Sequence, residues 1–134
     1  MVETLVAYAW VGFGSALGGM ARYGMGIAVA RRLGDAFPYG TLLINVFGSF
    51  VIGFFGTMTM ADGPRPASPE ARLFVMVGIC GGFTTFSSFS LQTFELLRAG
   101  ELPRAALYIV ASVLLCVVFT ALGHYLAAGL GRGA

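Results

Sequence analysis

Charge is what this sequence has least of. Only 10% of its 134 residues are charged, against 57% apolar, and the mean hydropathy is +0.85. Soluble domains average about 25% charged residues, so this composition excludes an ordinary water-soluble fold. Lysine is absent and all eight basic residues are arginine. Beyond the pair Arg31–Arg32 they form no cluster, which excludes nucleic acid as a partner. Cysteine is scarce too. Cys80 and Cys116 fall inside apolar runs without metal-ligand spacing, so no secreted disulfide framework is present, and they read as small buried residues. The single histidine, His124, reads as interfacial and has no acid to pair with. No triad, metal motif or phosphate loop occurs, which excludes the common enzyme constellations.

Long apolar runs fill the space instead. Leu5–Val29, Thr41–Ala61, Leu73–Phe94 and Ala105–Gly131 each reach the ~20 residues that cross a bilayer core. All six acids (Glu3, Asp35, Asp62, Glu70, Glu95, Glu101) lie outside these runs, as do seven of the eight arginines. Only Arg22 remains within one. The first run carries Glu3, lacks a basic leader and exceeds a signal-peptide core in length, so it reads as a retained span. The connectors are short. Arg31–Pro38 holds Gly34–Asp35 and Pro38, Asp62–Glu70 holds three prolines, and Arg98–Pro103 holds Gly100. The expected fold is all-α: one four-span membrane domain over residues 1–134.

Four spans place both termini and the second connector on one side of the membrane. That side carries Arg65, Arg72 and Arg132; the other carries Arg31, Arg32, Arg98 and Arg104. Orientation follows an arginine and lysine excess on cytoplasmic loops. A difference of one gives almost no preference, so insertion both ways up, as an antiparallel dual-topology homodimer, is the natural assembly. Small residues at Gly14-x3-Gly18, Ser49-x3-Gly53 and Gly123-x3-Ala127 allow close helix packing.

The third span contains GICGGFTTFSSFSLQTF, from Gly78 to Phe94. Glycine and β-branched threonine pairs interrupt a helix. In lipid such a break persists where its freed backbone groups meet protein, water or an ion. Phe86 and Phe89 follow, interleaved with Ser87, Ser88 and Ser90. Phe86 and Phe89 fit either packing or anion contact through positive ring edges. Asn45 fits either an interhelical hydrogen bond or donation to an anion. Ser87, Ser88, Tyr108 and Ser112 fit either a hydroxyl track or bonds back to their own backbone. Arg22 fits either snorkelling to the interface or lining a vestibule where it would gather anions.

Taken together, GSALGGMARY (Gly14–Tyr23), GTLLINVFGSFVIG (Gly40–Gly53) and GICGGFTTFSSF (Gly78–Phe89) closely resemble the Fluc, or CrcB, family of fluoride channels. The resemblance implies an antiparallel homodimer with two pores in the plasma membrane and a broken third helix. It implies a structural sodium ion at the dimer centre, held by backbone carbonyls that map to Gly81 and Thr84. It maps the pore to Asn45, Phe86, Phe89, Ser87, Ser88, Tyr108 and Ser112, with Arg22 and Thr41 as vestibule or structural positions. Ser88 replaces a commoner Thr, and Gln92 stands where several members carry a vestibule Glu. The expected function is passive export of fluoride, protecting the cell from an ion trapped after entry as HF. The rivals are a proton-coupled multidrug exporter, which needs an intramembrane carboxylate this chain lacks, and a non-transporting assembly protein.

Overall fold

The computed structural model describes residues 1–131, and Arg132, one of the arginines in the orientation count, lies outside them. Among the described residues every regular element is helical: α1 (Val2–Leu33), α2 (Tyr39–Met58), α3 (Pro69–Arg72), a π-helical stretch Leu73–Cys80, α4 (Gly81–Phe83), α5 (Phe86–Arg98) and α6 (Leu102–Gly131). Four rods are long and apolar enough to cross a membrane, the third being the composite Pro69–Arg98. The chain is a multi-pass membrane protein. The rods differ at their ends from the apolar runs: α1 continues to Leu33, and α2 stops at Met58, short of Ala61. The turn glycines explain two of the connectors. Gly34 and Gly100 adopt φ of 73° and 75°, a region costly for other residues.

Two close pairings organise the rods, and glycine permits both. Between α2 and α6, a Cβ on Gly53 would strike the Thr120 carbonyl, and one on Gly123 would strike the backbone of Phe50 and Phe54. Between α1 and the third rod, a Cβ on Gly14 would sit 2.8 Å from the Gly78 Cα, and one on Gly82 2.5 Å from the Ser15 carbonyl oxygen. Without a hydrophobic drive between helices in lipid, such close backbone approach supplies the packing contacts. Trp10 packs edge-on against Phe74 at 5.6 Å on the same seam. Arg72 ties the start of the third rod to the end of α2, donating to the Gly56 carbonyl at 3.0 Å and the Thr59 hydroxyl at 2.7 Å.

The apolar core is small. Tyr108 is 0% exposed, packed on Leu42 and Val46, with Phe37 edge-on at 5.5 Å and Phe89 tilted at 5.1 Å. Much of the rest, including Val110, Leu114 and Val118 on α6, faces outward, as suits surface that meets lipid.

Candidate functional site

The third rod breaks at Thr84 and Thr85, not at the glycine pair. Gly81 and Gly82 are helical, and Gly82 is there to let the rod lie against Ser15. Thr84 and Thr85 are both extended, with ψ of 158° and 110°. β-Branching favours that conformation, and each hydroxyl repairs part of the damage. The Thr84 hydroxyl donates to the Cys80 carbonyl at 2.9 Å, beside the Thr84 N–H at 3.0 Å. The Thr85 hydroxyl caps α5 by accepting the Ser88 N–H at 3.1 Å.

Asn45 completes the repair from across the bundle. Its Nδ2 donates to the Thr85 carbonyl at 3.0 Å, and its Oδ1 accepts the Thr85 N–H at 2.8 Å. Both backbone groups of the break residue are therefore satisfied by one side chain. Gly48, one turn further along α2, leaves room for the Thr84 methyl and the Phe83 ring. Asn45 thus forms the interhelical bond, and one of its two amide protons remains for another acceptor.

The same bonds liberate carbonyls. In a continuous helix Thr85 N–H would serve the Gly81 carbonyl and Ser88 N–H the Thr84 carbonyl. Both donors are diverted, one to Asn45 and the other to the Thr85 hydroxyl. The Gly81 and Thr84 carbonyls are hard oxygens without those partners, the chemistry that suits a hard cation. Gly81 is exposed on the protomer surface and Thr84 half-buried.

Two cavities flank the break. One, of about 400 Å³, is walled by Asn45, Thr84, Thr85, Phe86, Phe89 and Ser112 together with the sulfur residues Met76, Cys80 and Cys116. No acidic residue lines it. The Ser112 hydroxyl is buried there without a hydrogen-bond partner among the described residues. Phe86 and Phe89 lie 5.3 Å apart at 45°, and Phe86 is 77% exposed, so this aromatic wall stands open on one side of the protomer. The other cavity, of about 650 Å³, is a vestibule holding Arg22, Thr41, Thr85, Ser88 and Gln92. Arg22 stands on the wall of this cavity. Asp35, Glu95 and Glu101 line it as well, and Glu101 is paired with Arg104 at 2.8 Å. The remaining two carboxylates oppose any gathering of anions by Arg22.

Not every sequence candidate joins these walls. Tyr108 is enclosed in the core, and its hydroxyl donates to Gln92 Oε1 at 2.9 Å. Ser87 bonds to Thr85, as Ser88 does from the vestibule wall, while Ser90 bonds back to the Phe86 carbonyl at 2.9 Å. His124 pairs with the Thr57 hydroxyl at 2.8 Å. Cys116 is half-buried rather than buried. Sequence reasoning missed Thr85 as a site residue. Its signal was the second Thr of the pair, three positions before a serine, the spacing of an N-cap.

The fold and the break define a polytopic membrane protein with an interrupted span of the kind that lines ion paths. The chain belongs to the CrcB family: the model described as CrcB-like protein, Camphor Resistance (CrcB), matches residues 9–124. Among its relatives is the fluoride-specific ion channel FluC of Methylocella silvestris, 54% identical over 93% of this chain and 95% of that protein. That of Gluconobacter oxydans is 55% identical over 90% of this chain and 84% of its own length. That of Opitutus terrae is 50% identical over 92% and 93%.

Proposed function

We propose that this protein is a passive fluoride channel of the cell membrane, and not an enzyme or a coupled exporter. One observation carries the reading beyond kinship. The aromatic cavity is lined by Asn45 with its spare amide proton, by Ser112 with its unpartnered hydroxyl and by the rings of Phe86 and Phe89, with no carboxylate among them. Such a lining replaces water around a small anion, and a proton-coupled exporter would need an acid there. An interior-negative potential then drives export without coupling, at ~2.3 kcal/mol per charge per 100 mV. The test is fluoride efflux from proteoliposomes. Selective efflux indifferent to a pH gradient is expected. Equal chloride flux, or dependence on the proton gradient, would refute the reading.

Phe86→Ile is the cleaner probe of the ring edges, because that ring is exposed while Phe89 also supports Tyr108. Aromatic edges are worth ~1 kcal/mol, so Phe86→Ile and Phe89→Ile should each slow fluoride flux several-fold in a folded protein. Normal flux in both would leave the rings as packing alone.

The working unit in this reading is an antiparallel homodimer. The arginine balance of the loops favours it, and so does the open aromatic wall with Phe86 on its edge. A structural sodium ion at the dimer centre fits the carbonyls of Gly81 and Thr84, whose helical donors are diverted. Bound there, it would offset repulsion among converging carbonyl oxygens. A Cβ on Gly81 meets nothing nearer than the Met76 carbonyl oxygen at 4.0 Å, so Gly81→Ala is expected to leave the protomer folded. Loss of dimer and of sodium dependence in that variant, by size-exclusion chromatography and flux after sodium removal, is the expected result. Wild-type flux that ignores exhaustive sodium removal would exclude the ion.

A further inference from the structure

The Thr85 hydroxyl has more neighbours than its one proton can serve. It accepts the Ser88 N–H at 3.1 Å, donates to the Ser88 Oγ at 3.0 Å and lies 3.1 Å from the Ser87 Oγ. A hydroxyl has one proton and two lone pairs. With the proton committed to Ser88, the third contact runs from Ser87 to Thr85. A directed chain results, Ser87 to Thr85 to Ser88, and Thr85 is saturated. The Ser88 hydroxyl is left with a proton that has no acceptor among the described residues. Ser88 lines the vestibule. Thr85, 7% exposed, is the one residue common to the walls of the vestibule and the aromatic cavity.

We propose that Thr85 is a positioning residue of the anion path: it turns the Ser88 hydroxyl toward the vestibule as a donor, beside the wall residue that the two cavities share. Asn45 holds the Thr85 backbone from one side and the cap bond to Ser88 N–H holds its side chain from the other, so the fold fixes the Thr85 oxygen between its two serine neighbours. An anion arriving from the vestibule exchanges a water for an oriented O–H already polarised by two hydroxyls behind it. Plain helix capping would need only the Ser88 N–H bond and would make no demand on the Ser88 hydroxyl.

This inference rests on the fluoride-channel reading, and the experiment separates the two. Fluoride efflux is measured against fluoride concentration for wild type, Ser88→Ala, Thr85→Val, Thr85→Ser and the double variant Thr85→Val/Ser88→Ala. Ser88→Ala keeps the cap and should raise the half-saturating fluoride concentration about tenfold, the worth of one hydrogen bond to a charged group. Thr85→Val should do the same, Thr85→Ser should restore the wild-type value, and the double variant should be no worse than Ser88→Ala alone, as for residues acting as a unit. Should Thr85→Val fail to fold, Ser88→Ala and Thr85→Ser decide the matter. A conducting wild type whose Ser88→Ala variant keeps its half-saturation, or variants whose effects add, would overturn the role of Thr85 alone. A wild type that passes no fluoride would overturn the channel reading together with it.

Discussion

Asn45→Leu is expected to cost the protein both its break and its conduction. The substitution keeps apolar bulk but leaves the Thr85 N–H and carbonyl, now bonded at 2.8 and 3.0 Å, without partners. A buried polar group stripped of its partner costs about 1–3 kcal/mol, and more in lipid, so the pair together approaches the whole stability of a small protein at about 5 kcal/mol. Asn45→Asp should fall between. Its oxygen still accepts the Thr85 N–H, but a second oxygen would face the Thr85 carbonyl, and only a protonated acid relieves that repulsion. Thermal unfolding in detergent and fluoride flux in liposomes read the two effects separately. An Asn45→Leu protein that melts with wild type and conducts would show that the break holds itself.

Gly18→Ala should be nearly as damaging, while Gly19→Ala should cost nothing. A methyl at Gly18 runs into the Ile79 carbonyl and the Phe83 N–H, backbone atoms that cannot rotate away, whereas one at Gly19 meets nothing. Overpacking costs about 1–3 kcal/mol where neighbours can shift, and more where they are main chain. At half-buried Gly19, where a methyl has open space, alanine instead gains up to ~1 kcal/mol of helix propensity. Because Phe83 is the last residue of α4 before the extended threonines, the displaced seam transmits to the break, so flux should fall along with stability. Equal melting temperatures for Gly18→Ala and Gly19→Ala would mean that α1 is not seated as described.

These two positions show what a single sequence can and cannot disclose. Gly14-x3-Gly18 announces a close approach because its spacing is local to one helix face, and the structure puts the third rod against it. The four rods are legible for the same reason: apolar length is a local property. The break was legible in the third span but not its place, since whether Gly82 interrupts the helix or lets it touch Ser15 depends on a neighbour 67 positions earlier. Thr85 escaped notice likewise, because its partner Asn45 is 40 residues away. Asn45, Phe86, Phe89 and Ser112 were singled out by residue type, and the fold brings them to one cavity. Tyr108, chosen on the same grounds, is drawn into the core by Phe37 and Phe89, a choice between two walls that spacing cannot make.

The extended pair Thr84–Thr85 also moves helix poles. An unbroken helix carries the equivalent of about half a positive charge at its first turn and half a negative charge at its last, and in a spanning rod both lie at the water's edge. Here the last turn of α4 and the first turn of α5 meet inside the rod, separated by two residues. A negative pole and a positive pole thus stand side by side in the least polarisable part of the molecule, where partial charges act most strongly. Cation and anion each find a favourable end of the same interruption, so straightening it with helix-forming residues would remove both at once. A chain with a single ionised side chain within its apolar runs nonetheless carries both signs of charge into the bilayer, held in its peptide groups.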